Sequence, residues 1–197
     1  AERRLLCWYR EGELAREVAA TESVAVRTTR ERAGSKLGPM VVLLDTSGSM
    51  QGLPERVAKA LTLEVARIAH KEQRACHLIA FSGPGDTVTH DLALTEAGLS
   101  NLMAFLAASF HGGTDLATPV ARMAERLAQP AWHHADVLTV TDGGFALGPE
   151  TAARIQQARA LHGTRFHAVF VGGTCPAFAA LCDKAHHFTQ WSSFDAL

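Results

Sequence analysis

Apolar and polar positions along the chain follow two periods in turn. MVVLLD (40–45) is an unbroken β-branched and aliphatic run closed by a carboxylate, the pattern of a strand buried on both faces. Pro54 suits a first helical turn. Val57, Leu61, Val65 and Ile68 then recur at helical spacing through LPERVAKALTLEVARIAHK, which predicts a helix over 53–71. ACHLIAFS (75–82) predicts a second strand, and after a GPGD turn TVTHDLAL offers a short strand with some alternation. Leu99, Leu102 and Leu106 mark another helix, broken by HGGTD (111–115). Leu116, Val120, Met123 and Leu127 mark the next, with Asp115 its expected N-cap. ADVLTVTD (135–142) is a strand ending in a second carboxylate. A helix then opens at GPE and runs through residue 161, RFHAVFVGG (165–173) is a strand, PAFAALCDKA a short helix and HHFTQW (186–191) a last strand.

Strands alternating with helices predict an α/β sandwich around a mostly parallel sheet. Ligands of such sheets gather in the crevice beyond the carboxyl ends of the strands. Three polar clusters fall where they can face that crevice: DTSGS after the first strand, GGT (112–114) between helices, and Thr141-Asp142 at a strand end. The first 36 residues differ in character. LLCWY gives way to polar, charged sequence before Gly38-Pro39, so 1–36 reads as an extension or linker from an upstream region and 37–197 as the domain.

Composition narrows the function classes. With 197 residues and 47% hydrophobic content the chain can bury a sizeable core. A formal net charge of −1 gives no electrostatic case for nucleic acid or an anionic membrane surface. No apolar run approaches the ~20 residues of a membrane span, and no apolar stretch follows the charges of AERRLLCWYR as in a signal peptide. Cys7, Cys76, Cys175 and Cys182 form no CxxC. They read as reduced thiols, which places the chain in the cytoplasm. The pairs His133-His134 and His186-His187 lack zinc-ligand spacing and read as surface or strand-end residues.

Asp45, Ser47, Ser49, Thr114 and Asp142 supply only hard oxygen donors. That set suits Mg²⁺ or Mn²⁺ rather than zinc. The one-residue spacing of Asp45, Ser47 and Ser49 in a tight loop can turn all three side chains to one side, with Gly48 giving the backbone freedom. An ion held by neutral hydroxyls, with the carboxylates partly one step removed, keeps much of its charge. It would attract a partner's Asp or Glu at an open position. Hydrolysis is a poor fit, because no general base stands beside the cluster in the sequence.

The strand-ending DTSGS, with GGT and a later TD in that order, resembles the DxSxS pattern of von Willebrand factor A (VWA) domains and their metal-ion-dependent adhesion site (MIDAS). The resemblance covers about residues 39 to 190. It implies a Rossmann-like three-layer sandwich whose sheet carries one short antiparallel edge strand, for which TVTHD is the candidate, with helices on both faces. It also implies that Ser47, Ser49 and Thr114 touch the metal directly while Asp45 and Asp142 act mainly through water. GPMVVLLDTSGSM, RIAHKEQRACHLIAFS, FHGGTDLATPVARMAERL, WHHADVLTVTD and RFHAVFV look in addition like the C-terminal part of bacterial ViaA-type proteins. That narrower likeness implies a cytoplasmic, non-catalytic adaptor that works with a MoxR-family AAA+ ATPase. Gly143-Gly144 in TDGGFALGP departs from that subgroup beside the site.

Plainer readings compete. Ser47 and Ser49 could simply cap the following helix. A strand ending in aspartate also begins Mg²⁺-dependent phosphatases with an aspartyl nucleophile, but their second acidic residue falls where this chain has Ser47. TSGSM is not the GxSxG elbow of a serine hydrolase. A VWA domain that has lost its metal, or one serving extracellular adhesion, are further alternatives. All five oxygen donors are present, and neither a leader nor a disulfide pattern accompanies them.

Overall fold

The computed structural model describes residues 37–93, 95–108 and 111–188. The segment 1–36 read as an extension, and residues 189–191 of the expected last strand, lie outside them. β1 (Met40–Asp45) coincides with the MVVLLD run and is buried from Val41 onward. A short 3-10 turn (Gly48–Met50) leads to α1 (Leu53–Lys71), whose bounds are those the sequence predicts. β2 (Cys76–Phe81) is buried at every position. There follow β3 (Thr87–Asp91), α2 (Glu96–Ala107), α3 (Ala117–Leu127), a 3-10 turn at Pro130–Trp132 and β4 (Asp136–Thr141). The chain then forms α4 (Pro149–His162), β5 (Arg165–Val171), α5 (Pro176–Ala179) and β6 (Lys184–Phe188).

The sheet order is β3-β2-β1-β4-β5-β6. β1 runs parallel to both β2 and β4, and only the TVTHD edge strand β3 is antiparallel. The expected mostly parallel sandwich, with one short antiparallel edge, is therefore the observed fold. Strand alternation divides the sheet into two apolar faces. On one, Val41, Leu43, Phe81, Phe166 and Phe170 meet Val120, Met123 and Leu127 of α3, Ile155 of α4 and Phe178 of α5. On the other, Val42, Leu44, Leu78 and Ala80 are buried, and α1 packs on β1 and β2. Each fully buried phenylalanine contributes about 1.5–3 kcal/mol by leaving water.

Four local expectations need correction. The buried residues of α1 are Ala58, Thr62, Glu64, Val65, Ala66 and Ala69. Val57, Leu61 and Ile68 are only half-buried, because small alanines let the helix lie close on the sheet. The N-cap position of α3 falls at Leu116 rather than Asp115. Asp115 still does the capping: its carboxylate accepts from the Ala117 and Thr118 amides at 2.9 and 3.3 Å. The PAFAALCDKA helix stops after one turn, and β6 begins at Lys184, two residues before the predicted start. The cause is Asp183, whose amide donates to the Phe166 carbonyl at 2.7 Å while its carboxylate accepts from the Phe166 amide. Those bonds start the ladder early.

Candidate functional site

β1 and β4 are neighbours in the sheet, but the chain leaves them in opposite directions, through α1 to β2 and through α4 to β5. A crevice forms at such a switch point beyond the strand ends. Asp45 is the last residue of β1, and Asp142 follows the last residue of β4.

The Asp45 side chain is fully buried. Its Oδ1 accepts from the Ser47 amide at 2.9 Å and its Oδ2 from the Thr141 hydroxyl at 2.6 Å. Thr141 Oγ1 in turn accepts from the Gly143 amide at 2.9 Å, and Asp142 Oδ1 accepts from the Gly144 amide at 2.8 Å. Burial pushes the Asp45 carboxyl above its ordinary value of 3.8, the bonds from Ser47 and Thr141 oppose that rise, and the charge of Asp142 adds to it. Among the described residues neither carboxylate has a Lys, Arg or His ion-pair partner.

Ser47 Oγ and Ser49 Oγ lie 3.2 Å apart. Ser47 is buried and Ser49 exposed. Neither acts as a helix cap: the 3-10 turn has no side-chain cap bond from Ser47, and α1 starts from Gly52 with none either. The capping reading of the serines therefore finds no support.

The loop carrying Thr114 is stitched to the serine loop through backbone. His111 N donates to the Thr46 carbonyl at 2.8 Å and Gly48 N to the Gly112 carbonyl at 3.0 Å. Asp115 N donates to the Ser82 carbonyl at 2.6 Å, which ties the same loop to the end of β2. Gly112 has φ +90°, and a Cβ there would lie 3.2 Å from Ser82 Oγ, so this position requires glycine. Thr46 completes the frame by donating its amide and its hydroxyl to the Phe81 carbonyl, at 2.7 and 2.9 Å. Thr114 is half-buried at the end of this frame.

The structure thus links Asp45 to Ser47 and Ser47 to Ser49, places Asp142 next to Thr141, which bonds Asp45, and ties the loop that carries Thr114 to the serine loop through His111 and Gly112. Sequence reasoning assigned no role to Thr141 or Ser82. The pairing of Thr141 with Asp142 at a strand end was visible, but its bond to Asp45, 96 residues away, depends on β1 and β4 being neighbours. The set holds two carboxylates and three hydroxyls. Among the described residues no group of three or more His, Cys, Asp or Glu converges as a zinc-type site would. His133 stacks on His162 and His187 on Phe170. Cys76, Cys175 and Cys182 are free thiols, with burial pushing Cys76 up to about 12.

A family model described as VWA domain containing CoxE-like protein matches residues 14–182. The Regulatory protein ViaA of Edwardsiella ictaluri (strain 93-146) is 36% identical over 169 residues, which is 85% of this chain and 34% of that protein. Its namesake in Proteus mirabilis (strain HI4320) is 38% identical over 133 residues, 67% of this chain and 27% of that protein. The chain thus spans about a third or less of the length of these relatives. In fold it resembles a von Willebrand factor type A structure from Catenulispora acidiphila, with a TM-score of 0.57 and 14% identity over 79% of this chain and 39% of that one.

Proposed function

We propose, from the premise that the chain belongs to the family of VWA domain containing CoxE-like proteins, that it is a regulatory adaptor module gripping a partner protein through a metal ion. The regulatory role follows its ViaA relatives, whose names describe regulatory proteins. The metal reading rests on one observation. The buried Asp45 is bonded to Thr141, the residue before Asp142, and the hydroxyls of Ser47 and Ser49 face each other beside it; among the described residues no basic side chain is paired with either carboxylate. A cation supplied from outside would offset that charge. The donors fit a hard ion, Mg²⁺ or Mn²⁺. Ser47, Ser49 and Thr114 would hold it directly, with Asp45 and Asp142 acting mainly through water. Bound there, it would supply a positive charge with an open position for a partner's Asp or Glu.

A MoxR-family AAA+ ATPase is the partner we propose, in a chaperone-like or remodelling assembly in the cytoplasm. Among the described residues no helix is long and apolar enough to cross a membrane. The module carries no catalysis in this reading. The rival, an Mg²⁺-dependent phosphatase with Asp45 as nucleophile, needs a carboxylate oxygen open to substrate. Asp45 is fully buried with both oxygens hydrogen-bonded, which counts against it.

Calorimetric titration of Mg²⁺ and Mn²⁺ into the wild type and Thr114→Ala tests the joined site. Thr114 is informative because neither a helix cap nor a phosphatase centre needs it. The expected result is binding to the wild type and a loss of about tenfold or more in the variant. Equal binding by both would take Thr114 out of the metal site and reopen the phosphatase reading.

A further inference from the structure

A depression of about 330 Å³ opens beside Ser49 and Asp142. Two glycine pairs from different strand ends, Gly143-Gly144 after β4 and Gly172-Gly173 after β5, line it together with Pro54, Val171 and Thr174. Three of these glycines have local reasons. Gly143 has φ +79°, and its Cβ would lie 2.5 Å from the Thr174 carbonyl carbon. Gly172 has φ +84°. A Cβ on Gly173 would lie 2.1 Å from the Asp142 carbonyl oxygen. Gly144 is different. It has no left-handed φ, it is exposed, and its Cβ would meet first only the carboxylate end of Asp142, at 3.1 Å. Glycine at 144 therefore keeps the depression open where the backbone would accept a side chain.

The lining also has a definite charge character. Among the described residues that line the depression, Asp142 is the one ionisable group and there is no Lys, Arg or His. With one Mg²⁺ offsetting Asp45 and Asp142 and the partner's first acid already on the ion, a second acidic group entering there would find no positive charge left to pair it. Pro54, the Thr174 methyl and the glycine methylenes suit an uncharged side chain instead.

We infer that this depression is a specificity subsite for the same partner, and that it takes an uncharged apolar side chain two residues from the metal-bound acid. The inference rests on the metal reading above. In an extended segment, residues two apart point to the same side, so the acid reaches the metal position while its second neighbour enters the depression. The bare glycine backbone lets that segment lie close. The partner motif is a lone acid in an extended stretch rather than an acidic run.

Calorimetry with capped synthetic peptides in saturating Mg²⁺ tests this. One series carries a single aspartate with leucine two residues on, and two further peptides replace that leucine with glycine or aspartate. A second series reverses the direction. In one direction the leucine peptide binds about tenfold more tightly than the glycine peptide, as burial of such a side chain provides, and the double-aspartate peptide is weakest. Gly144→Val and Thr174→Trp remove the leucine preference, and in Thr174→Trp, the variant away from the Asp142 carboxylate, Mg²⁺ affinity stays within about twofold. Equal affinity for the three peptides in both directions, a leucine preference surviving both variants, or no peptide binding to the Mg²⁺-loaded protein overturns the subsite and leaves the metal reading standing. Failure of the wild type to take up Mg²⁺ is a different result, and it overturns both.

Discussion

The two edges of the central sheet treat their acidic residues in opposite ways. At the amino ends of the parallel strands, Asp136 pairs with the nearly buried Arg74 and, at 2.7 Å, with Arg165. Asp91 there meets Arg126 at 2.9 Å and His77 Nδ1 at 2.6 Å, with the Arg126 guanidinium 4.8 Å above the Trp132 ring. At the carboxyl ends, Asp45 and Asp142 receive hydrogen bonds from amides and a hydroxyl, and no basic side chain is paired with them among the described residues. Negative charge gathered in a low-dielectric place is costly unless something positive offsets it. The amino-end edge carries that compensation within the chain and so serves the fold. On the proposed metal reading the carboxyl-end edge leaves it to come from outside, which is how a binding site would differ from a structural ion pair.

The largest effect should come from Asp45→Ala. On the metal reading it abolishes Mg²⁺ uptake and with it partner binding, while the fold persists. Persistence follows from two opposed changes. The Ser47 amide and the Thr141 hydroxyl lose their acceptor, about 1–3 kcal/mol for a buried unsatisfied group. A carboxylate whose charged form burial already disfavours is removed at the same time. Circular dichroism with a Mg²⁺ titration separates the outcomes, and Mg²⁺ binding retained by the folded variant would count heavily against the carboxyl-end edge as a metal site.

Next in size is a change at the other edge. Arg74 is 6% exposed and Asp136 15%, and Arg74 also donates to the Gly38 and Pro39 carbonyls just before β1. Arg74→Met should destabilise the chain by about 3 kcal/mol in urea unfolding, near the lower end for a broken buried pair because Arg165 remains. Mg²⁺ affinity should be unchanged. A variant that unfolds normally but loses Mg²⁺ would mean that the two edges are coupled, and the division of labour drawn here would fall.

How much of this was legible in the sequence follows from whether each feature is local. MVVLLD and the nineteen-residue α1 segment were readable to the residue, because an unbroken apolar run and a Pro-initiated helix are set by near neighbours. The five oxygen donors could be proposed as a set from sequence alone, since each sits beside a strand end or a glycine. Which face of α1 is buried was not readable, because Ala58, Ala66 and Ala69 carry weak hydrophobic signals and are chosen by the sheet's shape. Thr141 was not readable either. Its hydroxyl matters only because β4 lies next to β1. The early start of β6 depends likewise on the reciprocal bonds between Asp183 and Phe166.

The smallest expected effect concerns pH and again belongs to the amino-end edge. Burial holds His77 below its ordinary value of 6.5; Asp91 acts against that shift, and Arg126 and His90 add to it. Burial also lowers His167, opposed by Asp136 and Asp183 and aided by Arg165 and Lys184. A histidine whose folded value is depressed binds fewer protons in the folded chain than in the unfolded one. Stability from this source is therefore complete above pH 6.5 and is lost as pH falls through 6.5 toward the folded value. The urea midpoint should accordingly be lower at pH 5.5 than at 7.5. His77→Phe, which keeps an aromatic ring against Trp132, should flatten part of that slope and leave the His167 share. An unchanged slope in His77→Phe would assign the acid sensitivity elsewhere.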